Sequence, residues 1–137
     1  MKNQTSLTAI LTAVCALALS ASAQDAKTLP PPATKAGVTY DGDVKAFLDQ
    51  SCVHCHSGDK PKAKLKLDTL DGILKGSRNG KVVTVGDSAK SEIVQAAAHT
   101  SDDSDEWMPP AKAVSKYPNL TPDQIGLLRA WIDQGAK

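Results

Sequence analysis

Hydrophobic positions along this chain recur with a helical period in several short stretches, set apart by segments rich in glycine, proline and acidic residues. Val44, Phe47 and Leu48 stand at i, i+3, i+4, which predicts a first helix over about Gly42 to Gln50. Asp41 is its expected cap, and Asp43 falls in a first turn that favours acidic groups. Leu70, Ile73 and Leu74 predict a short amphipathic turn closed at Gly76. Ile93, Val94 and Ala97 make the inner face of a second full helix that runs to Ala98, capped by Asp87 or Ser88. The last helix has the fullest set of signals: Thr121 as N-cap, Pro122 in first position, Gln124 completing a capping box and Gly135 as the stop. Its stripe is Ile125, Leu128, Trp131 and Ile132. Gly126 and Ala130 form a small-residue face beside that stripe, and the first helix, through Phe47, is the expected neighbour.

The segments between these helices read differently. Lys60, Lys62, Lys64 and Lys66 alternate with smaller or apolar residues that include Leu65 and Leu67, a pattern suited to an extended stretch with lysines on one side. Those lysines are either a basic rim for an acidic partner or an ordinary solvated edge. Ser77 to Gly80 reads as a loop, after which Val82, Val83 and Val85 resume the apolar pattern. Residues 24–39, with Pro30, Pro31 and Pro32 at their centre, read as a flexible proline-rich tether. Ahead of it, residues 1–23 have the build of a signal peptide: Lys2, an apolar run from Leu7 to Leu19, and small residues at Ala21, Ser22 and Ala23. A lipoprotein anchor at Cys15 fits less well, because Val14 is larger than such processing prefers. The expected address is therefore the periplasm, with no stable membrane insertion once the signal is removed, because its apolar run is too short to span a bilayer.

Composition narrows the partners. Taking 23 residues from 137 leaves 114, enough for one domain over residues 40–137 behind the tether. Without Lys2, 15 basic residues balance 15 acidic ones, so no polybasic surface argues for nucleic acid. Large core residues are scarce, since Tyr40, Phe47, Trp107, Tyr117 and Trp131 are the chain's aromatics. A domain of this size then has a small core of its own, and a buried apolar cofactor would add to it.

Cys52, Val53, His54, Cys55 and His56 spell C-x-x-C-H, the attachment pattern of c-type haem. Thiols three positions apart in a helical turn share a face and can each meet one vinyl group of the ring, and His56 follows as proximal iron ligand. Zinc would use the same side chains, but a closed site needs four donors and no second Cys or His pair stands at matching spacing. A redox dithiol wants a preceding strand, where this chain predicts a helix, and a structural disulfide between Cys52 and Cys55 is the remaining alternative.

Asp102, Asp103, Asp105 and Glu106 make an acidic loop that lacks the glycine of a calcium loop. Trp107, Met108, Pro109 and Pro110 follow it directly. Prolines fix the backbone beside Met108, the one methionine beyond the signal, so Met108 is the expected distal iron ligand, with a core methionine as the alternative. His99 at a helix end competes for that place, whereas His54 lies on the proximal side. Arg78, Lys81 and Tyr117 are candidate contacts for haem propionates, with solvent exposure or packing as the plainer reading of each.

Taken in order, these motifs resemble the class I c-type cytochromes, and among them the planctomycete-type cytochrome c domain. The resemblance rests on the Cys52 to His56 motif, on Leu65 to Asp68, on Val85 to Asp87 with Lys90 and Ser91, on Met108 to Pro110, and on Leu120 to Pro122 with Trp131 to Gly135. It extends from Tyr40 to Ala136, and the acidic insert before Trp107 departs from it. The resemblance implies a small all-α fold around one covalently bound haem c, with His56 and Met108 as axial ligands and the first and last helices crossing.

The function expected from both lines is a monohaem cytochrome carrying single electrons between redox protein partners, and not an enzyme. Two alternatives stand beside it: a haem subunit dedicated to a periplasmic dehydrogenase or oxidase, and a haem sensor with a displaceable Met108.

Overall fold

The computed structural model describes residues 28–137, so the expected signal at 1–23 and the first tether residues at 24–27 lie outside the described residues. The described chain is helical, with no named β-strand. A π-helical turn, Tyr40–Val44, runs directly into α1, Lys45–Ser51. It is followed by α2, Leu70–Lys75, α3, Glu92–Ala97, and α4, Pro122–Asp133, with short 3₁₀ turns between them. No described helix is long and apolar enough to cross a membrane.

α4 forms as its sequence dictates. The Thr121 hydroxyl accepts the Gln124 amide at 3.2 Å, and the Gln124 side chain accepts the Thr121 amide at 2.8 Å, so two otherwise orphaned donors are satisfied reciprocally. Leu128, Trp131 and Ile132 are fully buried. They meet the first helical turn chiefly through Tyr40, whose ring lies 6.0 Å from that of Trp131 at 50°. Tyr40 also takes the last carbonyl of the chain, its amide donating to Lys137 at 3.0 Å. The N-terminal and C-terminal helices therefore pack together, with Tyr40 and not Phe47 as the principal contact with Trp131.

The first helix begins earlier than its apolar spacing suggested. Thr39, not Asp41, caps it: the Thr39 hydroxyl accepts from Gly42 N at 3.1 Å and its amide donates to Asp43 at 3.0 Å. Asp41 stands two residues after the cap and is exposed. α3 is preceded by a 3₁₀ turn, Ser88–Lys90, capped by Asp87. The Ser91 hydroxyl does not cap α3, because it accepts the Thr84 amide at 2.9 Å and donates to Asp87 O at 3.0 Å. Val82 and Val83 are buried, while Val85 is 57% exposed, outside the apolar pattern expected of it.

Two connecting segments differ from their sequence reading. The lysine stretch is not extended throughout: a 3₁₀ turn at Lys62–Lys64, with Ala63 and Lys64 at φ of 53° and 56°, doubles the chain back before Leu65. Gly76 closes α2 as expected, at φ 89°, where a Cβ would stand 2.3 Å from the Gly80 carbonyl.

Residues 28–39, expected as part of the flexible tether, are instead laid along α4 as a strap. Ala33 N donates to Gly126 O at 2.9 Å, Arg129 donates to Pro30 O, Gln134 donates to Lys35 O at 2.8 Å, and Val38 N donates to the Gln134 side chain at 3.1 Å. Lys35 pairs with Asp43, and Val38 is buried in the core. The small face at Gly126 thus admits strap backbone where a helix was expected: a Cβ there would meet Pro31 O at 2.9 Å. A run of prolines forms no internal hydrogen bonds, which leaves its carbonyls free for Arg129.

Candidate functional site

Helix α1 delivers the chain to the C-x-x-C-H turn. Its final carbonyls carry over: Cys52 N and Val53 N both donate to Leu48 O, at 2.8 and 3.0 Å. The chain then winds through one tight turn in which Cys55 N and His56 N both reach Cys52 O at 3.1 Å. Cys52, Cys55 and His56 are therefore brought together in a single turn, both thiols free and half-buried and the imidazole buried. The doubled-back lysine segment braces this turn from outside. Lys62 N donates to Cys55 O at 2.9 Å and Leu67 N donates to His56 O at 2.8 Å.

The local electrostatics suit neutral forms. Burial pushes the Cys52 thiol up to about 12, with Cys55 adding to the rise, so it is a poor attacking group for disulfide exchange. Burial pulls His56 below its usual range, against the opposing effect of the Leu65 and Lys62 backbone. A neutral imidazole is the form that ligates a metal.

Met108 stands on a separate loop, half-buried between the buried Pro109 and the half-buried Trp107. Its backbone is held at both ends: Met108 N donates to Ala96 O at 3.0 Å, and Met108 O receives His99 Nε2 at 3.2 Å. The segment beyond returns to the attachment turn, where Tyr117 stacks on His54 with ring centroids 4.7 Å apart and Lys116 lies over the Tyr117 ring. His99, the competing ligand, has its Nε2 on Met108 O and its ring on Trp107. Lys81 donates to Leu74 O at the end of α2, and Arg78 is exposed. The acidic loop serves its own turn, with Asp103 accepting Asp105 N at 2.9 Å and Ser101 donating to Glu106.

A covalent porphyrin fits this set of residues. Among the described residues, the buried side-chain atoms without a hydrogen-bond partner are His56 Nδ1, Asp68 Oδ1 and Tyr117 OH. All three belong to the turn or to segments joined to it: Asp68 follows Leu67, whose amide is on His56, and Tyr117 stacks on His54. Among the described residues, no group of three or more Cys, His, Asp or Glu side chains is placed to hold a metal ion.

Residues 52–112 match the family model of planctomycete cytochrome C. Over this stretch the chain is similar to that family. A cytochrome c domain implies covalently bound haem c, and the matched stretch runs from Cys52 past Met108. Among solved structures, the chain is similar to Kuenenia stuttgartiensis hydrazine synthase, at 20% identity and a TM-score of 0.48 over 72% of this chain. The chain spans 16% of the length of that protein's chain. No curated protein matches the sequence significantly.

What sequence reasoning missed here is the bracing. Neither the double-back at Ala63 and Lys64 nor the His99 and Trp107 stack has a periodic signature. The spacing of His99 eight residues before Trp107 is their one trace.

Proposed function

We propose that this chain is an exported, periplasmic monohaem c-type cytochrome that carries single electrons between redox proteins. In this reading Cys52 and Cys55 hold the ring, and His56 and Met108 ligate its iron. The observation that carries it is the Cys52 to His56 turn: two unpaired thiols and a buried imidazole in one braced turn, within a cytochrome c domain.

Bound haem c supplies a one-electron iron couple whose potential the protein tunes. The chain's own part is to bind and exclude water. Cys52 and Cys55, not paired in a disulfide, would each supply a thiol to a vinyl group of the ring. His56, desolvated and backed by the Leu67 amide on its carbonyl, is held neutral for the metal. Met108, fixed through its own amide and carbonyl, offers a soft, neutral donor that favours the reduced state. With His56 and Met108 both given to the iron, no position would remain on it for a substrate, so the reading is of a carrier and not of an enzyme.

The test is expression with a c-type haem maturation system, followed by mass and absorption spectra in both redox states. One covalent haem, low-spin, with the weak red-edge band of sulfur on ferric iron, is the expected result. Met108→Ala should lose that band and lower the midpoint potential. A high-spin wild-type spectrum, or a Met108→Ala spectrum identical to wild type, would refute Met108 as ligand and the carrier reading with it.

A further inference from the structure

Helix α3 ends on an unusual residue. Ala98 closes it, and the next position, where helices commonly place a glycine in the left-handed conformation, is His99 at φ 56°. A side chain in that region is strained, and such strain persists where surrounding contacts over-determine it. The contacts are on the imidazole. Its plane lies 4° from that of Trp107 with centroids 5.1 Å apart, and its Nε2 lies 3.2 Å from Met108 O. A carbonyl only accepts, so Nε2 carries the proton and donates it. Trp107 is fixed in turn by its indole N–H on Ser101 O at 3.0 Å.

We infer that His99 is a positioning residue for Met108: its ring clamps the loop so that the methionine would be held in place to ligate a haem iron. Met108 N is tied to Ala96 and Met108 O to His99, so α3 and the residue just past its cap fix both ends of the same residue, one through backbone and one through the imidazole. The backbone bond survives any side-chain change at position 99. The imidazole bond does not, and its loss frees the carbonyl that precedes Pro109. With Nε2–H on Met108 O and the ring stacked on Trp107, the imidazole is engaged by the loop that carries the methionine. The inference rests on the reading of Met108 as ligand given above.

Three variants separate positioning from mere packing. His99→Gly relieves the left-handed strain and removes the clamp, His99→Phe keeps a ring for Trp107 without a donor, and His99→Gln keeps a donor without the ring. The readouts are the red-edge band of the ferric protein, the midpoint potential, and the affinity of added imidazole for ferric iron, which must displace Met108. Loss of one neutral hydrogen bond should tighten apparent imidazole binding by about three- to tenfold in His99→Gly and His99→Phe, weaken the band and lower the potential. His99→Gln should recover part of each. Unchanged band, potential and imidazole affinity in folded His99→Gly and His99→Phe would overturn the inference, even where melting temperature falls. The Met108 reading fails separately, and takes the inference with it, if wild type lacks the band and Met108→Ala binds imidazole no more tightly than wild type.

Discussion

Gly126→Ala sets two opposing effects against each other in the middle of α4. In an exposed helix interior the change favours the helix, because alanine loses less backbone freedom; the gain is about 1 kcal/mol. Here the added Cβ would stand 2.9 Å from Pro31 O, a backbone atom that cannot swing away as a side-chain tip can. The strap must lift at this point. Lifting costs the Ala33 N bond to Gly126 O at 2.9 Å and loosens Pro30 O from Arg129, at about 1 kcal/mol for a neutral bond and about 1.5 to 3 for one to a charged group. It also exposes Leu29 and Ala33, which pack on the core edge. Loss therefore exceeds gain, and the haem-loaded variant should be less stable by roughly 1 to 2 kcal/mol, a fall in melting temperature on the order of 5 to 15 °C. The assay is denaturant and thermal unfolding of wild type, Gly126→Ala, a chain lacking residues Leu29 to Thr34, and the combination. In the shortened chain the sign should reverse, with alanine stabilising, since nothing then faces position 126. Gly126→Ala as stable as wild type in the intact chain would refute the seated strap and restore a free tether.

Asp133→Ala should destabilise the fold by about 2 kcal/mol in urea unfolding, because Ser88, 2% exposed, loses both the acceptor of its amide at 2.8 Å and that of its hydroxyl at 2.9 Å. Tyr40→Phe should cost about 1 to 2 kcal/mol by leaving Leu67 O without the hydroxyl now 2.8 Å from it. Tyr40 also gives an alkaline signature: burial, helped by Asp49, Asp68 and Asp41, raises its hydroxyl from 10.0 to about 12. The folded state keeps a proton that the unfolded chain releases, so stability should fall as pH climbs through that window, and this part of the slope should vanish in Tyr40→Phe. Thr121→Ala, which dismantles the capping box of α4, should cost about 1 kcal/mol by the same unfolding assay.

The parts of this fold that were legible in the sequence are those whose chemistry is local. The α4 cap is decided by Thr121 and Gln124, which satisfy one another, and by Pro122, which has no amide to satisfy, all without help from the rest of the chain, and it forms as written. The C-x-x-C-H turn is equally local, and its residues close one turn. The apolar spacing at Val44, Phe47 and Leu48 found the first helix but not its start, because Thr39 takes the Gly42 amide on its hydroxyl and gives its own amide to Asp43 across a boundary that periodicity does not mark. Spacing also gave the wrong chief neighbour for α4: Tyr40, outside the expected helix, has the ring that faces Trp131.

The strap and the His99 clamp on the Met108 loop were illegible for a different reason: each is defined by a partner distant in sequence or by a backbone shape that composition does not encode. Prolines at 30, 31 and 32 read as solvated because they lack amide donors, yet their free carbonyls suit them to Arg129 once α4 exists. The trace of that contact was Gly126 inside a helix otherwise built from good helix formers, a costly choice unless something must come close. His99 carries the same logic at the other end of the molecule. A residue kept where a glycine is easier points to what its side chain holds, and a glycine kept where alanine is easier points to what its missing side chain admits. Here the first points to the loop that presents Met108, and the second to the strap that closes over α4.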